Sequence, residues 1–190
     1  MSTRIAKPRS RMRKQPRQAR SRATVEAIIE AGAHVLSTLG WAGFTTNKVA
    51  DAAGVSIGSL YQYFPDKLSL VEAIRRRHFD QVLSVIAESA EDDKPLKRFA
   101  QELVRGMIEA HSIHPTLHQV LLDEVPGDRG SRAAHASFQS RYLDHYTAAV
   151  TQYRKRRKDN ETVARVLSSA VEGVIHNAAR RDMLDAPELQ

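Results

Sequence analysis

Histidine is the residue type whose spacing first suggests a chemical role in this chain. His111, His114 and His118 are separated by three and four residues. Side chains at these intervals lie on one face of a helix, where their imidazoles can share a metal ion. However, Pro115 interrupts the helix that would align them, and no residue pattern that would orient the rings accompanies them. The sequence therefore predicts no metal site and no cofactor.

Several classes of protein are excluded by residues that are missing. The absence of cysteine excludes a disulfide scaffold, a thiolate zinc site, an iron–sulfur cluster and a cysteine nucleophile. No nucleophile–base pair, paired carboxylates or phosphate-binding loop stands out in the 190 residues, so we expect no enzyme. No apolar run approaches the ~18 residues of a membrane span, and no apolar signal region lies near the start. We therefore expect a cytoplasmic protein without membrane contact.

Positive charge is concentrated at the beginning of the chain. The net charge is +7, yet residues 1–22 contain nine cations and no acid, which leaves residues 23–190 with a net charge of −2. The scarcity of apolar residues in this arm argues against a transit peptide or a membrane anchor. Two interpretations stay open, an arm that lies along DNA and a solvated disordered tail. We predict disorder over residues 1–17 and DNA contacts from Arg17 and Arg20.

Hydrophobic periodicity predicts an all-α protein. Apolar residues recur at intervals of three, four and seven, and no alternating β pattern is present. Glycine, proline and capping residues set the expected helix ends. The predicted helices cover residues 25–39, 46–53, 57–64, 67–88, 95–112, 115–124, 131–157 and 160–181.

Two short helices joined by a tight turn are predicted in the segment before the fourth helix. Thr45 and Ser56 are suited to cap the two helices, and Gly54 to adopt the left-handed conformation of the turn. Ala50 is small enough for a close helix crossing, and Leu60 is expected in the core. This spacing is typical of a helix-turn-helix, whose second helix enters the major groove of DNA. Together with the basic arm, it predicts DNA binding.

This segment resembles the DNA-binding domain of the TetR family of bacterial transcriptional regulators. The resemblance rests on Ala-Gly-Val-Ser at 53–56, Leu-Tyr-x-Tyr-Phe at 60–64 and Lys-x-x-Leu at 67–70, and it covers about residues 18–75. The later helices match the family only in being helical and of suitable length. The resemblance implies a homodimeric repressor that binds a palindromic operator in double-stranded DNA. A small-molecule effector would release it from the operator.

The resemblance also implies DNA contacts at matching positions. Hydroxyl groups at the start of the second helix would contact phosphate, and the start of the third helix would face base edges. Tyr63 has a packing role as its alternative. Ile57 stands where many relatives carry a polar residue, so a base contact there would be to a thymine methyl group. The expected DNA-binding residues are Arg17, Arg20, Thr45, Thr46, Lys48, Ser56, Ile57, Gly58, Ser59, Tyr61, Tyr63 and Lys67.

The C-terminal half is expected to bind the effector and to form the dimer. Aromatic and histidine residues could line a mostly apolar pocket, although such residues are more often core aromatics and surface histidines. The expected ligand-binding residues are His111, Phe138, Tyr142, His145, Tyr146 and His176. A broad apolar stripe over 160–181 is suited to a dimer interface or to the core. The resemblance implies a further helix beyond it, where this sequence stops at 186–190.

The predicted organisation has three parts. Residues 1–17 are the disordered basic arm, 18–66 the three-helix helix-turn-helix domain, and 67–190 the helical domain for ligand binding and dimerisation. The alternative function is a helical protein-interaction adaptor that does not read DNA. An adaptor would not need nine cations at its N-terminus, and its binding would lack a steep dependence on salt.

Overall fold

The computed structural model describes residues 19–90, 94–127, 129–154, 157–181 and 183–184. Within these residues all regular secondary structure is helical, in agreement with the sequence prediction. The α-helices are α1 Ala19–Gly43, α2 Thr46–Ala52, α3 Ile57–Tyr63, α4 Lys67–Ala90, α5 Leu96–Ser112, α6 Leu117–Gln119, α7 Arg129–Arg154 and α8 Asn160–Arg180. A π-helical segment, Val120–Glu124, directly follows α6. The predicted arm, including Arg17, lies outside the described residues.

The chain divides into two compact units, and the division falls within α4. The first unit extends to Arg76 and the second begins at Arg77. No helix in the described part of the chain is long and apolar enough to cross a membrane.

The first unit has a core in which α1 packs against its other helices. The buried side chains come from every third or fourth residue of α1 and from one face of each helix that follows, because those are the apolar positions of the pattern. A Cβ atom on Gly32 would lie 2.7 Å from Cδ1 of Ile74, so glycine permits the close approach of α1 and α4. The core residues include Val25, Ile28, Ile29, Leu36, Phe44, Val49, Ala50, Leu60, Phe64, Leu70 and Ile74.

The second unit has a separate core made by α4, α5, α7 and α8. Phenylalanine and aliphatic residues from α4 and α5 meet tyrosines and small residues from α7 and α8. The largest buried members are Phe79, Leu83, Ile86, Phe99, Leu103, Met107, Phe138, Tyr142, Tyr146 and Ile175. The apolar stripe predicted on α8 is divided between two environments, because Ile175 and Ala178 are buried whereas Val166 and Val174 are exposed.

The clearest differences from the predicted helix boundaries are in α1 and α6. Helix α1 begins at Ala19 rather than at residue 25, since Ala and Arg favour a helix although they do not continue the apolar pattern. Gly40 has a positive φ of 64°, and helical structure resumes after it as far as Gly43, beyond the predicted end at residue 39. The helix predicted over 115–124 is divided into α6 and the π-helical segment.

Candidate functional site

The N-termini of α2 and α3 are capped by the two hydroxyl residues that the sequence indicates. Oγ1 of Thr45 accepts a hydrogen bond from the backbone N–H of Lys48 at 3.3 Å. Oγ of Ser56 accepts one from the backbone N–H of Ser59 at 3.1 Å, and the two serine hydroxyls are 2.8 Å apart. Both caps are confirmed. They satisfy backbone donors that a helix start would otherwise leave without partners.

The turn between α2 and α3 has the geometry that a helix-turn-helix requires. Gly54 has a φ of 65°, which confirms the prediction of a left-handed residue there. Its N–H donates to the carbonyl of Asp51 at 3.1 Å, and the N–H of Val55 donates to the carbonyl of Ala50 at 3.0 Å. This pair of hydrogen bonds closes α2 in a Schellman motif and turns the chain sharply into α3.

Most of the predicted DNA-binding residues lie at the surface of the first unit. Ile57 and Tyr61 keep 37% and 41% of their surface exposed. Tyr63 is different, because only 9% of it is exposed and its ring packs in the core, as the alternative interpretation expects. The exposed positions are Arg20, Thr45, Lys48, Ser56, Ile57, Gly58 and Tyr61, and the half-buried ones are Thr46, Ser59 and Lys67.

A hydrogen bond joins the start of α2 to the exposed side of α3. The hydroxyl oxygen of Tyr61 lies 3.0 Å from Oγ1 of Thr46. The two residues are fifteen positions apart in the chain. Two hydroxyl groups of the predicted interface therefore occupy one place on the surface, where the hydroxyl that accepts in this bond keeps its own proton to donate to a phosphate oxygen.

Two lysines that were predicted to contact phosphate donate to backbone carbonyls near the C-terminal end of α1. Nζ of Lys67 donates to the carbonyl of Trp41 at 2.9 Å and lies 3.4 Å from the centre of its indole ring. Nζ of Lys48 donates to the carbonyl of Gly43 at 3.0 Å. Desolvation by burial lowers the pKa of Lys67. The sequence did not predict this role of Lys67, because the contact joins residues that are 26 positions apart.

A cluster of histidines occupies the interior of the second unit. His78 comes from α4, His111 from α5, His118 from α6 and His176 from α8, and we call these four residues the histidine cluster. Their ring centroids are 5.0 Å apart for His78 and His118, 5.3 Å for His111 and His176, and 4.4 Å for His118 and His176. Helix α5 ends at Ser112, so His111 and His118 do not share one helix, as expected from Pro115, yet their ring centroids are 5.9 Å apart.

The hydrogen bonds of the histidine cluster leave several buried polar atoms without partners. Nδ1 of His111 is 2.8 Å from the carbonyl oxygen of Met107, and Nδ1 of His118 is 2.8 Å from Nε2 of His78. Within the described residues, the buried side-chain atoms that have no hydrogen-bond partner include two atoms of this cluster and two of α7. These four are Nε2 of His111, Nε2 of His118 and the hydroxyl oxygens of Tyr142 and Tyr146. Buried polar atoms are rarely left in this way, so their convergence marks a candidate binding site.

Burial keeps the four imidazoles neutral near pH 7. Desolvation lowers the pKa of His78 to about 3 and of His176 to about 4, with the neighbouring imidazoles adding to both shifts. The pKa of His118 is held well below its usual range by the same causes, and burial also lowers that of His111. Glu172 lies beside them, and desolvation raises the pKa of its carboxyl group. The neutral rings can therefore act as electron-pair donors.

Two family descriptions match the chain, one for each half. Residues 28–74 match the bacterial regulatory proteins of the tetR family, and residues 95–190 match the tetracycline repressor-like C-terminal domain. The chain belongs to the tetR family. The helix-turn-helix described above lies entirely within the first of these matches.

Similar proteins of the tetR family include named regulators. The chain is 31% identical to the transcriptional regulator RutR of Escherichia coli over 114 residues, which are 54% of this chain and 53% of RutR. It is 26% identical to the repressor KstR of Rhodococcus jostii over 141 residues, 74% of this chain and 66% of KstR. The chain thus spans about half the length of RutR in that match.

Solved structures share the tetR-family fold. A transcriptional regulator from Rhodococcus sp. Rha1 has a TM-score of 0.73 and 21% identity, and covers 87% of this chain and 88% of its own. The SmeT–triclosan complex has a TM-score of 0.63 and 22% identity, with 88% and 83% covered. At these identities the comparison concerns the fold alone.

The second unit of this tetR-family chain brings together most of the predicted ligand-binding residues. Phe138, Tyr142 and Tyr146 follow one another along the buried side of α7, with centroids 5.5 and 5.0 Å apart. His111 and His176 belong to the histidine cluster. His145 is half-buried on α7, and within the described residues its ring is not among those in contact there. His118 and Glu172 lie beside these residues but are not in the expected set. His78 was not predicted, because nothing in its local sequence connects it with the other residues.

Open grooves of the second unit lie elsewhere. One of about 390 Å³ runs between α4 and α5, where Gln81 and Gly106 are among its lining residues. Another of about 740 Å³ follows α5, with Arg98 and Glu109 in its wall. Neither groove is lined by a residue of the histidine cluster or by a predicted ligand-binding residue. The candidate ligand site is therefore defined by its convergent polar atoms rather than by an open groove.

Proposed function

We propose that this tetR-family regulator is a repressor that binds a palindromic operator in double-stranded DNA. The observation that carries the proposal is the exposed start of α3, where Ser56, Ile57 and Gly58 lie at the surface directly after the glycine turn. A recognition helix reads base edges with such N-terminal residues in the major groove. Tyr61 and Thr46 supply hydroxyl groups to phosphate, and Arg20 supplies positive charge.

The proposed DNA-binding species is a homodimer that uses α8. Val166 and Val174 keep 66% and 51% of their surface exposed, and Ala170 and Gly173 between them are also exposed. Small residues along an exposed apolar face permit close packing against the same helix of a second copy. Two-fold symmetry then matches the symmetry of a palindromic operator, whose half-sites are about one turn of DNA apart.

The proposed signal is a small-molecule effector bound in the second unit, where Tyr142, Tyr146, His111 and His176 present buried polar atoms among apolar side chains. The effector releases the operator by binding more tightly to a state whose recognition helices no longer match the half-site spacing. The protein acts in the cytoplasm by binding and not by catalysis.

The test is the capture of fragmented genomic DNA by the purified protein at physiological salt, followed by sequencing of the retained fragments. We expect enrichment of a few palindromic sites, which also identify the regulated genes. The variant Tyr61→Ala should lose this enrichment. Its control is Tyr153→Phe, which removes the hydroxyl that donates to the carbonyl of Lys94 at 3.0 Å in the second unit and should retain the same sites. Retention that is independent of sequence and disappears with salt would instead favour the adaptor function.

A further inference from the structure

The histidine cluster is too concentrated to be explained by core packing. The chain contains eight histidines. Four of them, each on a different helix, lie together in the second unit. A buried imidazole that lacks a hydrogen bond destabilises the folded state, because its nitrogen loses its hydrogen bonds to water and forms none with the protein. Aliphatic side chains of similar volume would fill this space without that cost. The cluster therefore has a role that needs nitrogen donors.

The donor atoms form two overlapping groups of three residues that share His118. One ligand atom from each of His118, Glu172 and His176 lies within 4.8 Å of the other two, and the same is true of His78, His111 and His118. Nε2 of His118 is 3.8 Å from Oε1 of Glu172. Tetrahedral ligands at 2.0–2.1 Å from a zinc ion are separated from one another by about 3.3 Å, so small side-chain rotations close the site.

Hydrogen bonds at Nδ1 fix the orientation of two of the imidazole rings. When Nδ1–H of His111 donates to the carbonyl of Met107, the lone pair of His111 is on Nε2. When Nδ1–H of His118 donates to Nε2 of His78, the lone pair of His118 is likewise on Nε2. These two Nε2 atoms are the buried ones that have no partner within the described residues. Metal-binding histidines are oriented in the same way, with one nitrogen donating outward and the other facing the ion.

We propose that His111, His118, Glu172 and His176 bind a divalent transition-metal ion of the Zn²⁺ class, with His78 as a positioning residue for His118. Imidazole nitrogens and one carboxylate oxygen are the ligands that such ions take in a chain without cysteine. The proposal specifies the chemical class of the ligand that the second unit binds. It rests on the ligand-binding part of the proposed function.

The surroundings of the site are suited to a metal ion. The donor atoms of each group lie within 4.8 Å of one another, a separation that the ligands of one ion can close by small rotations. Glu172 lies four residues before His176 on the same face of α8, and 43% of its side chain is exposed, which gives the ion a route from solvent.

The experiment is a titration of the EDTA-treated full chain at pH 7 with Zn²⁺ in competition with a chromogenic chelator, and in parallel with Co²⁺ while visible absorption is recorded. We expect one ion per chain and the intense absorption of four-coordinate Co²⁺. The variants Glu172→Gln, His118→Gln and His176→Gln should each weaken Zn²⁺ binding at least tenfold. His145→Gln, a histidine of α7 outside the cluster, should bind as the unchanged protein does.

Glu172→Gln is the decisive variant, because its half-exposed side chain can be changed without disturbing the core. Circular dichroism verifies that each variant is folded. The proposal is overturned if the folded, EDTA-treated chain binds neither ion, or if Glu172→Gln and His145→Gln bind equally well. Operator binding by the metal-free protein is measured separately. Loss of metal binding with operator binding intact rejects the metal site alone, whereas the reverse result rejects the DNA-binding function alone.

Discussion

The ammonium group of Lys67 lies 3.4 Å from the centre of the Trp41 ring and donates to the Trp41 carbonyl at 2.9 Å. This contact joins the first residue of α4 to the chain before α2, across a separation of 26 residues. Helices α2 and α3 lie between the two joined positions in the chain. The contact therefore stabilises the frame in which the helix-turn-helix is held.

Replacement of Lys67 tests whether this lysine is structural. We expect Lys67→Met to lower the free energy of unfolding by about 1–2 kcal/mol, since it removes a cation–π contact and a hydrogen bond. Urea denaturation measures the effect. Lys97→Met, at an exposed position of α5, is the charge-matched control and should change the free energy by less than about 0.5 kcal/mol. If the two variants are equally stable, Lys67 does not stabilise the fold, and the phosphate contact is its one predicted role.

A substitution at Gly58 is expected to affect protein stability and operator binding in opposite directions. A Cβ atom there would meet only Oγ of Ser56 at 3.9 Å, so Gly58→Ala should raise the free energy of unfolding by about 0.5–1 kcal/mol. The added methyl group should weaken operator binding if the backbone approaches DNA closely at this point. Gly54→Ala is the contrast, because its positive φ makes alanine cost about 1–2 kcal/mol. Urea denaturation and operator titration check both variants. Unchanged operator affinity in Gly58→Ala would remove Gly58 from the interface.

The contribution of Arg20 is measurable from the salt dependence of operator binding. Each phosphate contact adds about 0.9 to the slope of log affinity against log salt concentration. We expect Arg20→Gln to reduce that slope by about one contact, without a change in the preferred sequence. Arg141→Gln, an exposed arginine of α7, is the control. If both variants reduce the slope equally, Arg20 contributes only to the net charge.

The exposed face of α8 predicts the position of the dimer interface. Val174→Glu should shift the protein from dimer to monomer in sedimentation, because each copy would bury a carboxylate without a partner. Operator affinity should fall with it. Thr162→Glu adds the same charge at an exposed polar position of α8 and should leave the dimer intact. A dimer that survives Val174→Glu would place the interface on another helix.

The ion pairs of Glu102 are expected to contribute to the loss of stability of the second unit at low pH. Hydrogen bonds from Lys94 at 2.6 Å and Arg98 at 2.8 Å lower the pKa of Glu102 to about 2. The stability that these contacts provide is present above pH 4.5, and it is lost as the pH falls toward 2. Glu102→Gln should therefore flatten the decrease in stability over this interval, as followed by urea denaturation. Glu109→Gln, an exposed control on α5, should not.

The sequence by itself determined the local structure of the DNA-binding segment. Thr45, Ser56 and Gly54 act through their own backbone and their nearest neighbours, so their residue types were enough to place two helix starts and one turn. The all-helical pattern was predictable for the same reason, because helix periodicity is a property of residues within a few positions of one another.

Only the tertiary structure decided which side chains meet. His78 and His176 belong to one cluster although 98 residues separate them, and no local spacing connects them to His111 or His118. Helix α5 does end before Pro115, yet the rings of His111 and His118 lie 5.9 Å apart. The contact of Lys67 with Trp41 is equally non-local. Packing between distant segments is not encoded in the spacing of neighbouring residues, and this explains why the sequence predicted the helices but not the cluster.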